Sequence, residues 1–288
     1  MKHQSIIGID VGGTKIRVGK VVDGNVVVEV NIPTLAHRSE NEIIGDIIKA
    51  IKQIIDNEVI GVGIGVPGLL DAENGIVYDV TNIPSWKEAH VKEQIEAAVN
   101  TKVYMTNDAN CFVLGEKVYG LGASYANLVG ITLGTGVGAG IMANNQLCTG
   151  VLSVAGEVGS IPYLNSNFED YCSGKFFPKF YGISGRDAHC RAMSGDIAAQ
   201  KMFDEYGEHI ANLISIILYS VGPEMIVLGG SGAQSFELFE PSLRATLNKF
   251  PFKRIIDRLI IKVSSLENTA VLGAAALVYQ NERVLINN

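Results

Sequence analysis

Short apolar runs separated by glycine-rich turns dominate the first third of the chain. Residues 5–11 and 16–22 read as two strands, joined by a turn at Gly12-Gly13-Thr14-Lys15. Asp23-Gly24-Asn25 predicts a second hairpin turn, leading into Val26-Val27-Val28 and Val30. Over 40–56 the period changes. Ile44, Ile47, Ile48, Ile51, Ile54 and Ile55 recur at helical spacing, with Ser39 or Asn41 placed to cap. Val59 to Val66 reads as a buried strand stopped by Pro67-Gly68, which completes a βββαβ order. A short helix is expected over 87–99, a strand over 102–106, and a helix from Asp108 to Tyr119 with Gly120 as its stop.

The second half repeats the plan. Strands are expected over 127–133 and 137–143, with a turn at Asn144-Asn145 before Leu147. A long helix over about 200–221 carries Ile210, Leu213, Ile214, Ile217, Leu218 and Val221 on one stripe, and Gly222-Pro223 ends it. Met225-Ile226-Val227-Leu228 is a buried strand running into Gly229-Gly230-Ser231-Gly232. A strand over 259–263 and a helix over 269–280 close the pattern. The expected class is α/β with mixed sheets flanked by helices. No low-complexity linker separates the halves, so a tight hinge is expected between two lobes. Residues 1–108 with 270–288 would form the smaller lobe, and 109–269 the larger.

Composition narrows the function. The chain has 288 residues, 47% hydrophobic and 18% charged, with a formal net charge of −7. That length suits two lobes and that balance supports a large core. An acidic chain lacks the basic surface that non-specific nucleic-acid binding needs, so no nucleic-acid partner is expected. No run of roughly 18 apolar residues is present, so no membrane span is expected, and no signal-peptide core follows Met1. The four cysteines, Cys111, Cys148, Cys172 and Cys190, have no CxxC spacing and read as free thiols of a cytoplasmic protein.

The glycine turns carry the candidate chemistry. Gly12-Gly13-Thr14-Lys15 follows a strand and precedes a strand, unlike a Walker A loop. A turn without Cβ atoms lets backbone N–H groups approach an anion, and the Thr14 hydroxyl adds a donor. Asp10, at the end of the preceding strand, would hold the water shell of Mg²⁺. Gly134-Thr135-Gly136 repeats the device. Asn107-Asp108 stands where a strand ends and a helix begins. Alone, an Asp there is simply a cap. In a kinase it could instead accept the proton of a substrate hydroxyl, and a helix N-terminus would keep it ionised. Asn82, Glu157, Ser160 and Glu169 lie in turn-rich stretches where amides and carboxylates could pair with vicinal sugar hydroxyls, although each taken singly reads better as a solvated loop residue. Trp86 reads as a packing anchor.

Together these segments resemble the ROK family of bacterial sugar kinases, within the actin-like, hexokinase-like ATPase superfamily. The resemblance runs through Asp10-Val-Gly-Gly-Thr-Lys15, Gly65-Val-Pro-Gly-Leu-Leu-Asp71, Asn82-Ile-Pro-Ser-Trp86, Asn107-Asp-Ala-Asn110, Leu133-Gly-Thr-Gly-Val-Gly138, Gly156-Glu157 and Leu228-Gly-Gly-Ser231. It implies two RNase H-like lobes hinged around a cleft, with Asp108 as catalytic base. Asn82, Asn107, Glu157 and Glu169 would hold the sugar. The turns at Gly12, Gly13, Thr14, Lys15 and at Gly134, Thr135, Gly136 would hold ATP phosphates, and Gly229-Gly230 would lie near the adenosine.

Many ROK proteins carry a zinc-binding His three residues after the Glu of the Gly-Glu motif, followed by a cysteine cluster. Here that position is Ser160 and Cys172 is the only Cys of the segment, so no zinc is expected and the sugar contact at Ser160 should be weaker or water-mediated. The implied activity is ATP-dependent phosphorylation of a hexose, at the primary C6 hydroxyl. Glucose is the expected sugar on family frequency, with N-acetylmannosamine or another N-acetylhexosamine, allose and fructose open, and polyphosphate open as donor. A homodimer is the family habit. Some relatives are DNA-binding repressors with an N-terminal helix-turn-helix, for which a first strand starting near Ser5 leaves no room. A non-catalytic sugar-binding relative is the remaining alternative.

Overall fold

A computed structural model describes residues 4–282. Its described residues fall into two compact units. The first comprises the residues up to Ala123, Leu147–Ala155 and those from Leu266 onward, and the second comprises Ser124–Gln146 and Gly156–Ser265. The sequence-based division placed the boundary at 108/109. In the structure the helix Asp108–Tyr119 and the short loop Leu147–Ala155 group with the first unit. The residues 1–3 and 283–288 of the expected lobe lie outside the described range.

Each unit is built on a five-stranded mixed sheet of the same plan. The first runs in the order Asn25–Pro33, Lys15–Val22, Ser5–Val11, Val59–Val66, Val103–Asn107. The first three strands form an antiparallel meander, and the last two add in parallel. The second sheet runs Gln146–Leu147, Val137–Ala143, Leu128–Leu133, Met225–Gly229, Ile260–Val263. Again an antiparallel hairpin is extended by two parallel strands. This is the RNase H-like plan, present twice.

The helices form where the sequence places apolar stripes. Glu40–Ile54 buries Ile44, Ile47, Ile51 and Ile54, and the Glu42 carboxylate accepts hydrogen bonds from the N–H and hydroxyl of Ser39 at 3.0 and 2.7 Å. The long helix Ile197–Ser220 starts earlier than expected because Asp196 caps it, accepting from the N–H groups of Ala198 and Ala199. The helix expected over 87–99 is corrected: it begins only at Val91. Glu88–His90 is a strand with buried Ala89 between exposed neighbours, and it pairs with Ile76–Tyr78 in a small antiparallel sheet. That alternation is the period of a strand, hidden by the helix that follows.

The helix Thr269–Glu282 lies against both the first sheet and the helix Asp108–Tyr119, and glycines permit the approach. A Cβ on Gly63 would stand 1.7 Å from the Ala274 carbonyl oxygen, and one on Gly8 would stand 2.1 Å from that of Val271. On the helix side, a Cβ on Gly273 would stand 1.7 Å from the Cys111 carbonyl oxygen. Here backbone packs on backbone, with no side chain between. Among the described residues no helix is long and apolar enough to cross a membrane.

Candidate active site

In the first unit the parallel register puts the candidate residues side by side. Asp10 pairs across the sheet with Gly65, and Gly65 with Thr106. Asn107 ends its strand and caps the next helix, its side chain accepting from the Ala109 N–H at 2.8 Å. Asp108 opens that helix, exposed, with its own carboxylate 2.8 Å from the same N–H. The Asp108 Cα lies 3.7 Å from where a Cβ on Gly65 would stand. Buried Cys111 feels the charges of Asp10 and Asp108, which add to burial in pushing its thiol up. Asp10 and Asp108 therefore share the C-terminal edge of the parallel strands, the edge at which open α/β sheets bind ligands.

The turn Gly12-Gly13-Thr14 closes tightly, with the Gly12 N–H donating to the Lys15 carbonyl at 3.0 Å. Lys15 itself begins the next strand and is exposed. Buried Thr34, which sequence reasoning missed, braces the turn twice: its hydroxyl donates to the Gly12 carbonyl at 2.6 Å and its N–H to the Thr14 carbonyl at 3.0 Å. Asn82 lies against the same turn, its Cβ 2.7 Å from where a Cβ on Gly13 would stand. Trp86 is fully buried behind it, as a packing anchor should be.

A second missed feature is Arg17. It sits opposite Asp10 in the hairpin register and pairs with it, Nη2 to Oδ2 at 3.3 Å, while Nη1 donates to Asn268 Oδ1 at 3.1 Å. Counting outward from the turn pairs Val11 with Ile16 and then Asp10 with Arg17, so the signal was in the sequence. Burial pushes the Asp10 carboxyl up, and the guanidinium opposes that shift.

The second unit carries the other turn. The Gly134 N–H donates to the Gly136 carbonyl at 3.0 Å, and the Gly174 N–H donates to the Gly134 carbonyl at 2.8 Å. A Cβ on Gly134 would meet nothing within 4 Å, so its face is open, whereas one on Gly136 would stand 2.6 Å from Glu169 Oε2. Thr135 is exposed at the tip. Glu169 pairs with Lys175 and lies near enough to Glu157 that its charge adds to burial in pushing the Glu157 carboxyl up. Glu157 is held by its neighbour: Gly156, at φ +99, sits so close to Ala139 that a Cβ would reach 1.7 Å from its carbonyl oxygen. Ser160 is exposed in the same turn, its N–H donating to the Glu157 carbonyl at 3.1 Å.

Gly229 ends a parallel strand opposite Thr132, and Gly230, at φ +82, packs on Leu133. Just beyond them Ser231 and Gly232 help line a cavity of about 680 Å³, together with Arg186, His189, Phe203 and Ser235. His189 Nδ1 meets Ser235 Oγ at 2.8 Å on its wall. Sequence reasoning missed this cavity because its wall comes from the unassigned helix Gly185–Met193. Among the described residues no group of three or more His, Cys, Asp or Glu side chains could hold a metal ion.

The chain is 28% identical to a glucokinase of Thermotoga maritima over 96% of its own length and 98% of the relative's. It is also 28% identical to a xylose repressor of Caldicellulosiruptor bescii, covering 95% of this chain and 78% of the repressor. Among solved structures, a ROK family glucokinase from Streptomyces griseus in complex with glucose and AMPPNP superposes with a TM-score of 0.81 at 25% identity, over 96% of this chain and 99% of that one. The ROK family model matches residues 6–281, and the chain belongs to the ROK family.

Proposed function

We propose that this chain is a sugar kinase that transfers the γ-phosphoryl group of ATP to a hydroxyl of a hexose. One observation carries the reading: in the second unit a phosphate-type glycine turn and the carboxylate pair Glu157 and Glu169 lie against each other, with Gly136 as the point of contact. Amides suit phosphate oxygens, and paired carboxylates suit the hydroxyls of a polyol. The similarity to a glucokinase, and to one structure holding glucose and AMPPNP, supports both halves.

In this reading Asn82, Asn107, Glu157, Glu169 and Ser160 orient the sugar, with glucose the favoured hexose. Asp108 accepts the proton of the attacking hydroxyl, taken as that at C6. The new O–P bond forms as the bond from phosphorus to the β–γ bridging oxygen breaks, and ADP leaves. The turns at Gly12-Gly13-Thr14 and Gly134-Thr135-Gly136 donate N–H groups to the phosphates, and Lys15 adds charge nearby. The cavity beyond Gly229-Gly230 takes the adenosine. Asp10 would hold a cation that travels on the phosphates through its water shell, because one carboxylate beside the phosphates is the usual protein share of such a site and only its Oδ2 is engaged by Arg17. Mg²⁺, when bound, neutralises phosphate charge. A cytoplasmic homodimer completes the reading.

An ADP-release screen over a panel of monosaccharides tests it, with Asp108→Asn as control. Turnover in that variant should fall by about 10²- to 10⁴-fold with sugar binding retained. Near-normal turnover removes Asp108 from the role. The similarity to a xylose repressor supports a second reading, a sugar-responsive regulator. Thermal stabilisation by sugar without ADP release, and a shifted band with a specific DNA, would favour it.

A further inference from the structure

The segment that carries Glu169 is too short to hold itself. A two-residue ladder pairs Pro162–Tyr163 with Ser166–Asn167, and the helix Phe168–Cys172 that follows has five residues. Isolated helices of this length are unstable in water, so outside contacts must fix its rotation. Phe168, Tyr171 and Cys172 face inward and are buried, which leaves Glu169 and Asp170 on the outer side.

Those contacts converge on Tyr163. Its ring stacks on Phe168 with centroids 4.1 Å apart and meets Tyr171 edge-on at 5.3 Å. Its hydroxyl is gripped by the long helix Ile197–Ser220. Asn212 Nδ2 donates to it at 2.9 Å, and His209 Nδ1 stands 3.1 Å away. With the Asn212 amide donating, the Tyr163 hydroxyl is free to donate to His209 Nδ1, which must then be the unprotonated nitrogen. Burial favours that neutral imidazole. One turn earlier Tyr206 donates to the Cys172 carbonyl at 2.7 Å. Tyr206, His209 and Asn212 recur every three residues, so one stripe of the long helix holds both ends of the segment. His209 also packs edge-on against Tyr171, at 4.8 Å.

We propose that Tyr163, clamped by His209 and Asn212, is a positioning residue for sugar binding: it sets the rotation of the Phe168–Cys172 helix and so the placement of the Glu169 carboxylate beside Glu157. The assignment rests on the kinase reading of those two carboxylates. Tyr163 touches no reacting atom. Its effect passes through the stacked Phe168 ring to the neighbouring Glu169.

The test compares Tyr163→Phe, His209→Leu and His209→Asn with the wild-type chain. The first keeps the ring and removes the hydroxyl, the second removes the acceptor, and the third returns an acceptor oxygen close to the place of Nδ1. His209→Leu, which removes one hydrogen bond, should raise KM for the sugar about tenfold, and Tyr163→Phe, which removes the contacts to both Asn212 and His209, by at least as much. KM for ATP and kcat should stay within about twofold, and His209→Asn should recover most of the loss. An unchanged sugar KM in Tyr163→Phe overturns the proposal. So does a common loss of sugar KM, ATP KM and kcat that follows Tm across the variants. If the wild-type chain phosphorylates no sugar, the kinase reading fails instead, and hydrogen exchange decides the clamp. Faster exchange over residues 161–173 in Tyr163→Phe supports it, and unchanged exchange overturns it.

Discussion

Gly136→Ala separates the two halves of the proposed reaction by a single methyl group. The backbone at Gly136 is outside the left-handed region, so alanine is not strained there. The new methyl would stand 2.6 Å from Glu169 Oε2, where ordinary contact begins at 3.4 Å, so the carboxylate must retreat by about 0.8 Å. Glu169 can do so cheaply, because it is the end of a flexible chain and its ion pair with Lys175 is largely exposed. Stability should therefore change by less than about 1 kcal/mol, and the lost glycine entropy offsets part of that. A charge-assisted hydrogen bond of about 2.7 Å stretched by this amount is lost as a hydrogen bond. Its contribution of about 1.5–3 kcal/mol corresponds to a rise in sugar KM of roughly 10- to 150-fold. Steady-state kinetics with each substrate varied in turn, beside a thermal melt, reads the effect. Gly134→Ala is the counterpart. Its methyl meets no protein atom within 4 Å but occupies the face offered to phosphate, so KM for ATP should rise while KM for sugar holds. A normal sugar KM in Gly136→Ala, or a normal ATP KM in Gly134→Ala, would refute the corresponding half of the reasoning.

The remaining predictions concern the groups around these turns. Burial and Glu169 raise the folded-state pKa of Glu157, so its contribution to stability is present below the unfolded value and lost as pH rises through the folded one. Glu157→Gln should accordingly melt higher than wild type at pH 7, lose that advantage near pH 4, and bind sugar less well; a lower melt at pH 7 would contradict the sign. Burial pushes the Asp10 carboxyl up and Arg17 opposes that rise, so Arg17→Met should move the acidic limb of the activity profile to still higher pH, and an unmoved limb would detach Asp10 from the reaction. Thr34→Val strands the Gly12 carbonyl and should cost about 1–3 kcal/mol in chemical denaturation with a raised KM for ATP. An unaltered midpoint would show that the hydroxyl does not brace the turn.

Both sheets were legible because each begins with an apolar run, a glycine turn and a second apolar run, and that local pattern needs no tertiary information. The isoleucine stripe of Glu40–Ile54 was legible for the same reason. Asp108 was placed correctly at a helix start because strand and cap signals are adjacent in sequence. The residues that sequence reading missed act across distance. Thr34 is a lone polar residue after a strand, and only its hydrogen bonds to Gly12 and Thr14 give it meaning. Tyr163 and His209 lie 46 residues apart and meet through a hydroxyl. The short helices between Phe168 and Met193 carry too few turns for a periodic signal, and their ring contacts specify them instead.

The glycine-lined seat of the helix Thr269–Glu282 has a consequence for the order in which the chain is made. The partners that fill the spaces over Gly8 and Gly63 are Val271 and Ala274, and the carbonyl against Gly115 is that of Thr269. All three are translated after every residue of the second unit. On the ribosome, the unit begun first is therefore finished last. Its sheet, with Asp10 at one edge and the helix that starts at Asp108, stays open on one face while the second unit has everything it needs to close. A chain stopped near Ser265 would leave bare the face of the older unit that Val271, Ala275 and Val278 cover, with Ile6 and Val21 exposed on it.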